Sequence, residues 1–487
     1  MNETRDPRPG PVEGLSVELV RLVLSALPDV ASLRATILSC PLFYSAFLEA
    51  EGAITTRVLL GQIDASVLPE AIAALESSRL RLDGGEEIYN EGVVRAFMDQ
   101  NLRHRPLVPR SWSLLEALRV TQLHVSVGEL VAKFINEATS EPPLIRSRSI
   151  SVTRQELCRI ERALYRFEIY CNIFGGSLTR SPISLTRLRF YREQKRLFFT
   201  NFAPCENEQL GCIHDFLVRA VTPAFDDIVD HDIAWGASNV DYGTINSPSI
   251  QRILFSGLDK LHQITQAEAY EKRYGLLYDS RTGVCSPLAR ELFLYNGLLL
   301  ANEQTHIIFL KWLTPDDDVL RINHPYFPDP DPGPADAWRW AHQEESWAHW
   351  VYQPKRRDLR RWGYVMWDRS RLEAIDLFRE SWNLSSYSSG AWEEQPHDAA
   401  QRRRCLRETW ERREWIWKRG GRGWWSWDDE SKVIYPDVAE ESRPRPMSEP
   451  DSLSTFASSW PESLHEAQQL LAELAGWVPE SASQSST

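Results

Sequence analysis

Apolar residues recur at helical spacing almost from the start of the chain. Leu15, Leu19, Leu22, Val23, Ala26 and Leu27 fall three and four apart and form one stripe on one helix. Ser16 stands at the N-cap, where its hydroxyl is placed to accept from a free amide of the first turn. Glu18 sits where a negative charge suits the helix dipole. Leu15, just before the cap, is placed to pack on Val20 as a hydrophobic staple. Pro28 stops this helix and Asp29 is positioned to cap the next. The second helix is expected to bury Val30, Leu33, Ile37 and Leu38. Cys40-Pro41 opens a third, with Pro41 suited to the first helical position; Leu42, Phe43, Phe47 and Leu48 supply its apolar face. Fully burying a Leu or Val is worth roughly 1.5–3 kcal/mol. A six-residue apolar stripe must therefore be covered, either by the rest of the chain or by a partner.

Helical patterns continue. The spacing predicts helix over 54–63, over 68–82 with Pro69 near its first turn, and over 86–101, 111–122, 126–138 and 153–174. Asp83-Gly84-Gly85 breaks the second of these. In 153–174, Leu157, Ile160, Leu164, Phe167, Cys171 and Phe174 form a stripe with Arg159, Glu161, Arg162, Arg166 and Glu168 between them, which reads as core against one neighbouring helix. Further helices are expected at 184–200, 206–221, 249–274, 288–313, 335–351, 369–379 and 399–418. Strand signals are weak: Val365-Met-Trp and Val433-Ile-Tyr are the short candidates. Helices without alternating strands predict a mainly α fold, an N-terminal three-helix module followed by a large irregular helical domain with little or no sheet.

Composition shifts divide the chain. Residues 1–13 are polar and Pro-rich and read as a disordered arm; 14–60 hold the three-helix module and 61–324 a helical domain. Residues 325–334 are a Pro/Asp-rich hinge, or equally a long ordered loop. Residues 335–435 are a Trp/Arg-rich helical region. Residues 436–487 read as a largely disordered tail, within which 463–477 carries Leu464, Ala467, Leu470, Leu471, Leu474 and Trp477 on one helical face. With 487 residues, 43% of them hydrophobic and 25% charged, the chain has the balance of a globular protein of one to three domains. A net charge of −13 argues against general affinity for nucleic acid. No apolar run reaches the roughly 20 residues that span a bilayer. The seven cysteines, at irregular spacing and with no secretory pattern at the N-terminus, predict free thiols and an intracellular location, cytoplasm or nucleus.

The opening segment resembles an F-box, the helical motif by which adaptors attach to the Skp-type linker of cullin–RING ubiquitin ligases. Leu15, Glu18, Leu19, Val23, Leu24, Ser25 and Leu27 match its first part; Leu33, Ser39, Cys40, Phe43 and Tyr44 match its second. Ser16 departs from the pattern, standing where the family usually has a Pro that rigidifies the helix start and touches the linker. The resemblance covers less than a tenth of the chain. It implies linker contact through Leu15, Glu18, Leu19, Val23, Leu27 and Leu33. The remainder is similar to a large group of filamentous-fungal proteins with such an N-terminus, through Arg162–Cys171, Glu208–Leu217 and Gly363–Asp368. That broader resemblance implies no activity.

No catalytic constellation is legible. Gly-rich phosphate loops, nucleophile elbows, His-Glu-x-x-His and paired Cys-x-x-Cys motifs are absent from the sequence. Cys205, Cys212 and His214 lack a standard zinc spacing and a fourth partner. Asp226, Asp227, Asp230, His231 and Asp232 form an acidic knot that reads as a helix end and solvated loop rather than a cation site. Pro354–Arg361 is basic and reads as a solvated helix start in preference to a nuclear import signal. Fourteen of nineteen Trp lie from Trp338 to Trp427, too many to stay in water, so they are core or interface. No cofactor and no metal are therefore expected, and the F-box resemblance implies a non-catalytic adaptor linking an unidentified client protein to the ligase. The alternative is a structural or protein-interaction protein whose F-box-like segment belongs to its own core. An enzyme with an unrecognised site is the third reading.

Overall fold

The computed structural model describes residues 15–83, 91–103, 111–144, 150–175, 194–278, 294–299, 301, 329–343, 356–379 and 396–436. The fold is mainly α. The described residues within Met1–Val229 and Asp241–Arg403 make one compact unit, and those within Asp230–Val240 and Arg404–Thr487 make a second. Described residues before and after 325–334 fall in the larger unit. The arm at 1–13 and the helical pattern at 463–477 lie outside the described residues.

The large unit opens with α1 (Val17–Ser25), α2 (Val30–Ser39), α3 (Pro41–Leu48) and α4 (Glu51–Gln62). Asp29 caps α2 by accepting from Ser32 N at 2.7 Å, and Pro41 occupies the first turn of α3. Val30, Leu33 and Ile37 are buried as expected; Leu38 is not, being 67% exposed. On α3, Phe47 is buried with Ala46, Phe43 is half-buried and Leu48 is exposed. These helices lead into α5 (Leu68–Asp83) and α6 (Glu91–Met98), which ends in a π turn at Asp99–Arg103.

Two long helices organise the middle of the large unit. α7 (Leu114–Ser140) is continuous across 122–126, where the sequence pattern predicts a break between two helices. Buried Val120, Thr121, Ser126, Val127 and Leu130 hold that stretch against its neighbours, and packing overrides the locally weak pattern. α8 (Arg154–Phe174) starts with a capping box: Thr153 Oγ1 accepts from Glu156 N, and Glu156 accepts from Thr153 N. α5 lies along α8, and α7 packs on it as well.

The charged residues of α8 are a correction to the two-sided helix read from the sequence. Arg159 is fully buried and pairs with Asp329 at 2.7 Å and Asp368 at 2.6 Å. Arg166 pairs with Glu70 at 3.1 Å and Glu206 at 2.8 Å. Glu168 accepts from Leu258 N, and Glu156 receives Arg371 at 2.8 Å. α8 is therefore surrounded on all sides, and these buried charges each meet an opposite charge or a backbone donor. Tyr170, Phe174, Phe198, Phe199 and Phe202 pack ring against ring beside it.

α9 (Pro204–His231) runs straight through Pro223 rather than ending near 221. Val221, Ala224, Phe225, Ile228 and Val229 are buried on both sides of that proline. After the short α10 (Ile233–Ala237), the expected single helix at 249–274 is three: α11 (Pro248–Leu254), α12 (Leu258–Gln266) and α13 (Tyr270–Leu277). Gly257, at φ +92°, makes the first break. α14 (Leu294–Leu299), α15 (Gly333–His342), α16 (Arg357–Arg361) and α17 (Arg369–Ala374) complete the described helices of this unit, before α18 (Pro396–Lys418). Val365-Met-Trp is a buried turn, not a strand; Trp367 Nε1 donates to Trp362 O at 2.8 Å. Nor is the basic run before Trp362 solvated. Arg356 and Arg360 are fully buried, and Arg360 pairs with Asp215 at 2.7 Å.

In the second unit Ile233, Ile416 and Trp425 form a small core, with Trp417 and Val433 against it. Buried Arg413 donates to Asp232 O, and Asp232 caps α10 through Trp235 N. β1 (Arg422–Gly423) pairs antiparallel with β2 (Val433–Ile434), so the Val433 candidate does form a strand. It is the only sheet among the described residues.

Candidate functional site

α1 divides into two apolar sides. Val20 and Leu24 are fully buried, whereas Leu19 is 49%, Leu22 56% and Val23 47% exposed. Leu15 and Val17 are exposed at the helix entrance. Leu19, Leu22 and Val23 are three and four apart, so their side chains adjoin on one face. Further large apolar side chains stand exposed on the neighbouring helices: Leu38, Tyr44, Leu48 and Leu60.

The six residues singled out from the sequence therefore part company. Leu15, Glu18, Leu19 and Val23 are exposed, Leu27 is half-buried, and Leu33 lies fully within the core of the module. Leu22, Tyr44 and Leu48 are exposed members outside those six, and Leu22 was visible in the stripe itself. Ser16 takes the N-cap position with extended backbone, but its side chain makes no cap hydrogen bond. The Glu18 carboxyl is instead held below its usual range by its own backbone N–H and by the Ser16 hydroxyl.

The helices of the module are tied to one another and to the helices that follow. Arg21 of α1 pairs with Glu49 at the end of α3. Gln62 Oε1 accepts from Val30 N, joining α4 to α2. Glu51 accepts from Leu114 N at 2.8 Å, so α4 helps to cap α7. Asp64, just past α4, pairs with Arg154 at 2.6 Å. Against the effect of its burial, the Ser66 N–H and Arg154 hold the Asp64 carboxyl down to about 2.

Two clusters elsewhere carry groups able to move protons. His124 Nδ1 lies 2.9 Å from Tyr165 Oη, with the rings stacked. One turn before Tyr165, burial pushes the Glu161 carboxyl up to about 7; Arg154 opposes this and Asp64 adds to it. Burial lowers His124 and raises the Cys158 thiol, so neither a charged imidazole nor a thiolate is favoured there. In the second cluster, Arg360 joins Asp215 at 2.7 Å and Glu208 at 3.5 Å, and His214 lies between Asp215 at 3.3 Å and Gln251 at 3.2 Å. All five are buried, which gives this cluster the character of a structural knot.

Cys212 and His214 are both fully buried. Burial raises the Cys212 thiol, and His214 is engaged with Gln251 and Asp215. Among the described residues no group of His, Cys, Asp and Glu is arranged to hold a metal ion. The acidic knot is dispersed: Asp226 accepts from Gly243 N, Asp227 pairs with Arg273 at 2.7 Å, and Asp232 is a helix cap. Of the described Trp in 338–427, Trp338, Trp340, Trp362, Trp367 and Trp425 are buried, while Trp415 and Trp427 are exposed. Arg419 and Arg422 stack on Trp415 and Trp417, each 3.3 Å from the ring centroid. No helix among the described residues is long and apolar enough to cross a membrane. Comparison of the chain with family models, with curated proteins and with solved structures gives no match.

Proposed function

We propose that the chain is a non-catalytic adaptor. Its N-terminal helices dock a Skp-type linker, and its helical body holds a client protein for a cullin–RING ubiquitin ligase. The observation that carries this reading is the uncovered stripe on α1, Leu19, Leu22 and Val23, backed by the buried pair Val20 and Leu24. Covering the exposed half of each of these three side chains is worth about 1 kcal/mol apiece. That gain is available only to a second molecule that fits the stripe. The mechanism is proximity: the adaptor raises the local concentration of client around an activated enzyme that performs the chemistry.

The test is co-purification of the full chain with a recombinant Skp-type linker. Leu19→Asp combined with Val23→Asp should reduce the association at least tenfold. Far-UV circular dichroism should stay unchanged, because both residues already face water. A variant that binds the linker as well as the parent would overturn the reading. It would leave the structural or protein-interaction alternative, in which the stripe has no part in linker binding.

A further inference from the structure

A row of titratable groups marks the place where the end of α4 meets α8. Arg154, Cys158, Glu161 and Tyr165 follow one another at intervals of four, three and four along α8, so they share one face of it. Two other segments meet that face. One is the turn between α4 and α5: Asp64 pairs with Arg154 at 2.6 Å, Ser66 meets Cys158, and Ser66 Oγ accepts from Arg162 at 3.4 Å. The other is α7, whose His124 Nδ1 lies 2.9 Å from Tyr165 Oη. The same imidazole is hydrogen-bonded to the backbone of Gln62, the last residue of α4. Gln62 Oε1 accepts in turn from Val30 N at the start of α2. A continuous polar seam therefore runs from α2 through α4 and α7 to α8.

The cations at this joint are already engaged. Arg154 holds Asp64, and Arg162 holds Asp329 at 3.2 Å as well as Ser66. An ionised Glu161 is one carboxylate more than these two guanidinium groups already serve. Burial raises the Glu161 carboxyl to about 7; Arg154 and Arg162 attract a charge there, and Asp64 repels it. Asp64 stays ionised, since against its burial the Ser66 N–H and Arg154 hold it at about 2. Burial keeps Cys158 and Tyr165 neutral and also favours neutral His124. Among the described residues, Glu161 is thus the group of this joint poised to change its charge near neutral pH.

We propose that Glu161 is a proton-operated latch between the N-terminal module and the body of the large unit. Protonated, it lies beside the Asp64 turn without repelling it, and the seam stays closed. Ionised, it sets a second carboxylate against Asp64, and the end of α4 with its turn opens more often from α8. The latch is independent of what the module docks. The test is hydrogen–deuterium exchange on the full chain at pH 6 and pH 8, with each rate divided by the intrinsic amide rate at that pH. Amides of 58–67, at the end of α4 and in the turn, should lose protection by roughly threefold or more from pH 6 to pH 8. Glu161→Gln should hold their protection level across that range, and His124→Gln should keep the parent's response. Amides of 213–217, in the buried middle of α9, should change less than those of 58–67. An unchanged parent overturns the proposal. So does a response that survives in Glu161→Gln or vanishes in His124→Gln, because another group would then carry the proton. Equal loss at 213–217 also overturns it, because the whole fold rather than this joint would be responding.

Discussion

Arg159 donates at once to Asp329, Asp368 and the Met366 carbonyl. Replacing one partner of such a buried group leaves the opposite charges uncompensated, which typically costs about 3–5 kcal/mol. Arg159→Met is expected to lower the unfolding free energy in urea by about that much, through a lower midpoint at unchanged slope. A near-silent substitution would mean the carboxylates are adequately held by Arg162 and Thr153, their other partners. Glu161 makes a pH prediction. Its carboxyl is raised in the fold from 4.5 to about 7, chiefly by burial. The protonated form therefore favours folding. This contribution is complete below about pH 4.5 and is lost as pH rises through about 7. Glu161→Gln, neutral throughout, should gain thermal stability over the parent as pH goes from 5 to 8. The gain is below the roughly 2–4 °C for each kcal/mol of a 150–250-residue domain, because this unit is larger. Parallel melting curves across that range would remove the effect. None of this is readable in the sequence. The partners of Arg159 lie some 170 and 209 residues away, and a helical period says only that Arg159 sits beside the stripe.

At the scale of elements, local chemistry was legible where it is self-contained. Asp29 and Pro41 act where their caps predict, since a cap needs only its own turn. Where packing decides, the pattern misled. α7 passes through a stretch that looked like an interruption, and α9 passes through Pro223. Gly257 is the opposite case: a real break inside an apolar periodicity that carries on to 264. At φ +92° and ψ 159° its backbone suits glycine almost alone, and an added Cβ would meet Glu168 Oε1 at 3.0 Å. Gly257→Ala should therefore destabilise by about 1–3 kcal/mol. Gly275→Ala, inside α13 with nothing within 4 Å of the new methyl, should stabilise slightly, by about 0.5–1 kcal/mol. Equal effects in chemical denaturation would contradict the strain assigned to Gly257.

For the molecule as a whole, the mainly α class followed from the succession of helical patterns, but the arrangement did not. The candidate site was half legible. The stripe at Leu15, Leu19, Leu22 and Val23 was visible, yet Val20 and Leu24 make α1 apolar on both sides, so spacing alone does not tell which side the body covers. Leu33, grouped with the docking residues, went to the core, and Leu38, grouped with the core, stayed in water. Assigning faces needed the neighbours α3 and α4, whose register no local rule supplies.

That half-clad first helix also bears on how the protein behaves in quantity. Copies made in quantity display Leu19, Leu22 and Val23 to one another, which invites clumping and attention from chaperones. Yield in a foreign host should accordingly rise when a fitting companion is co-expressed, or when Leu19, Leu22 and Val23 are exchanged for polar residues.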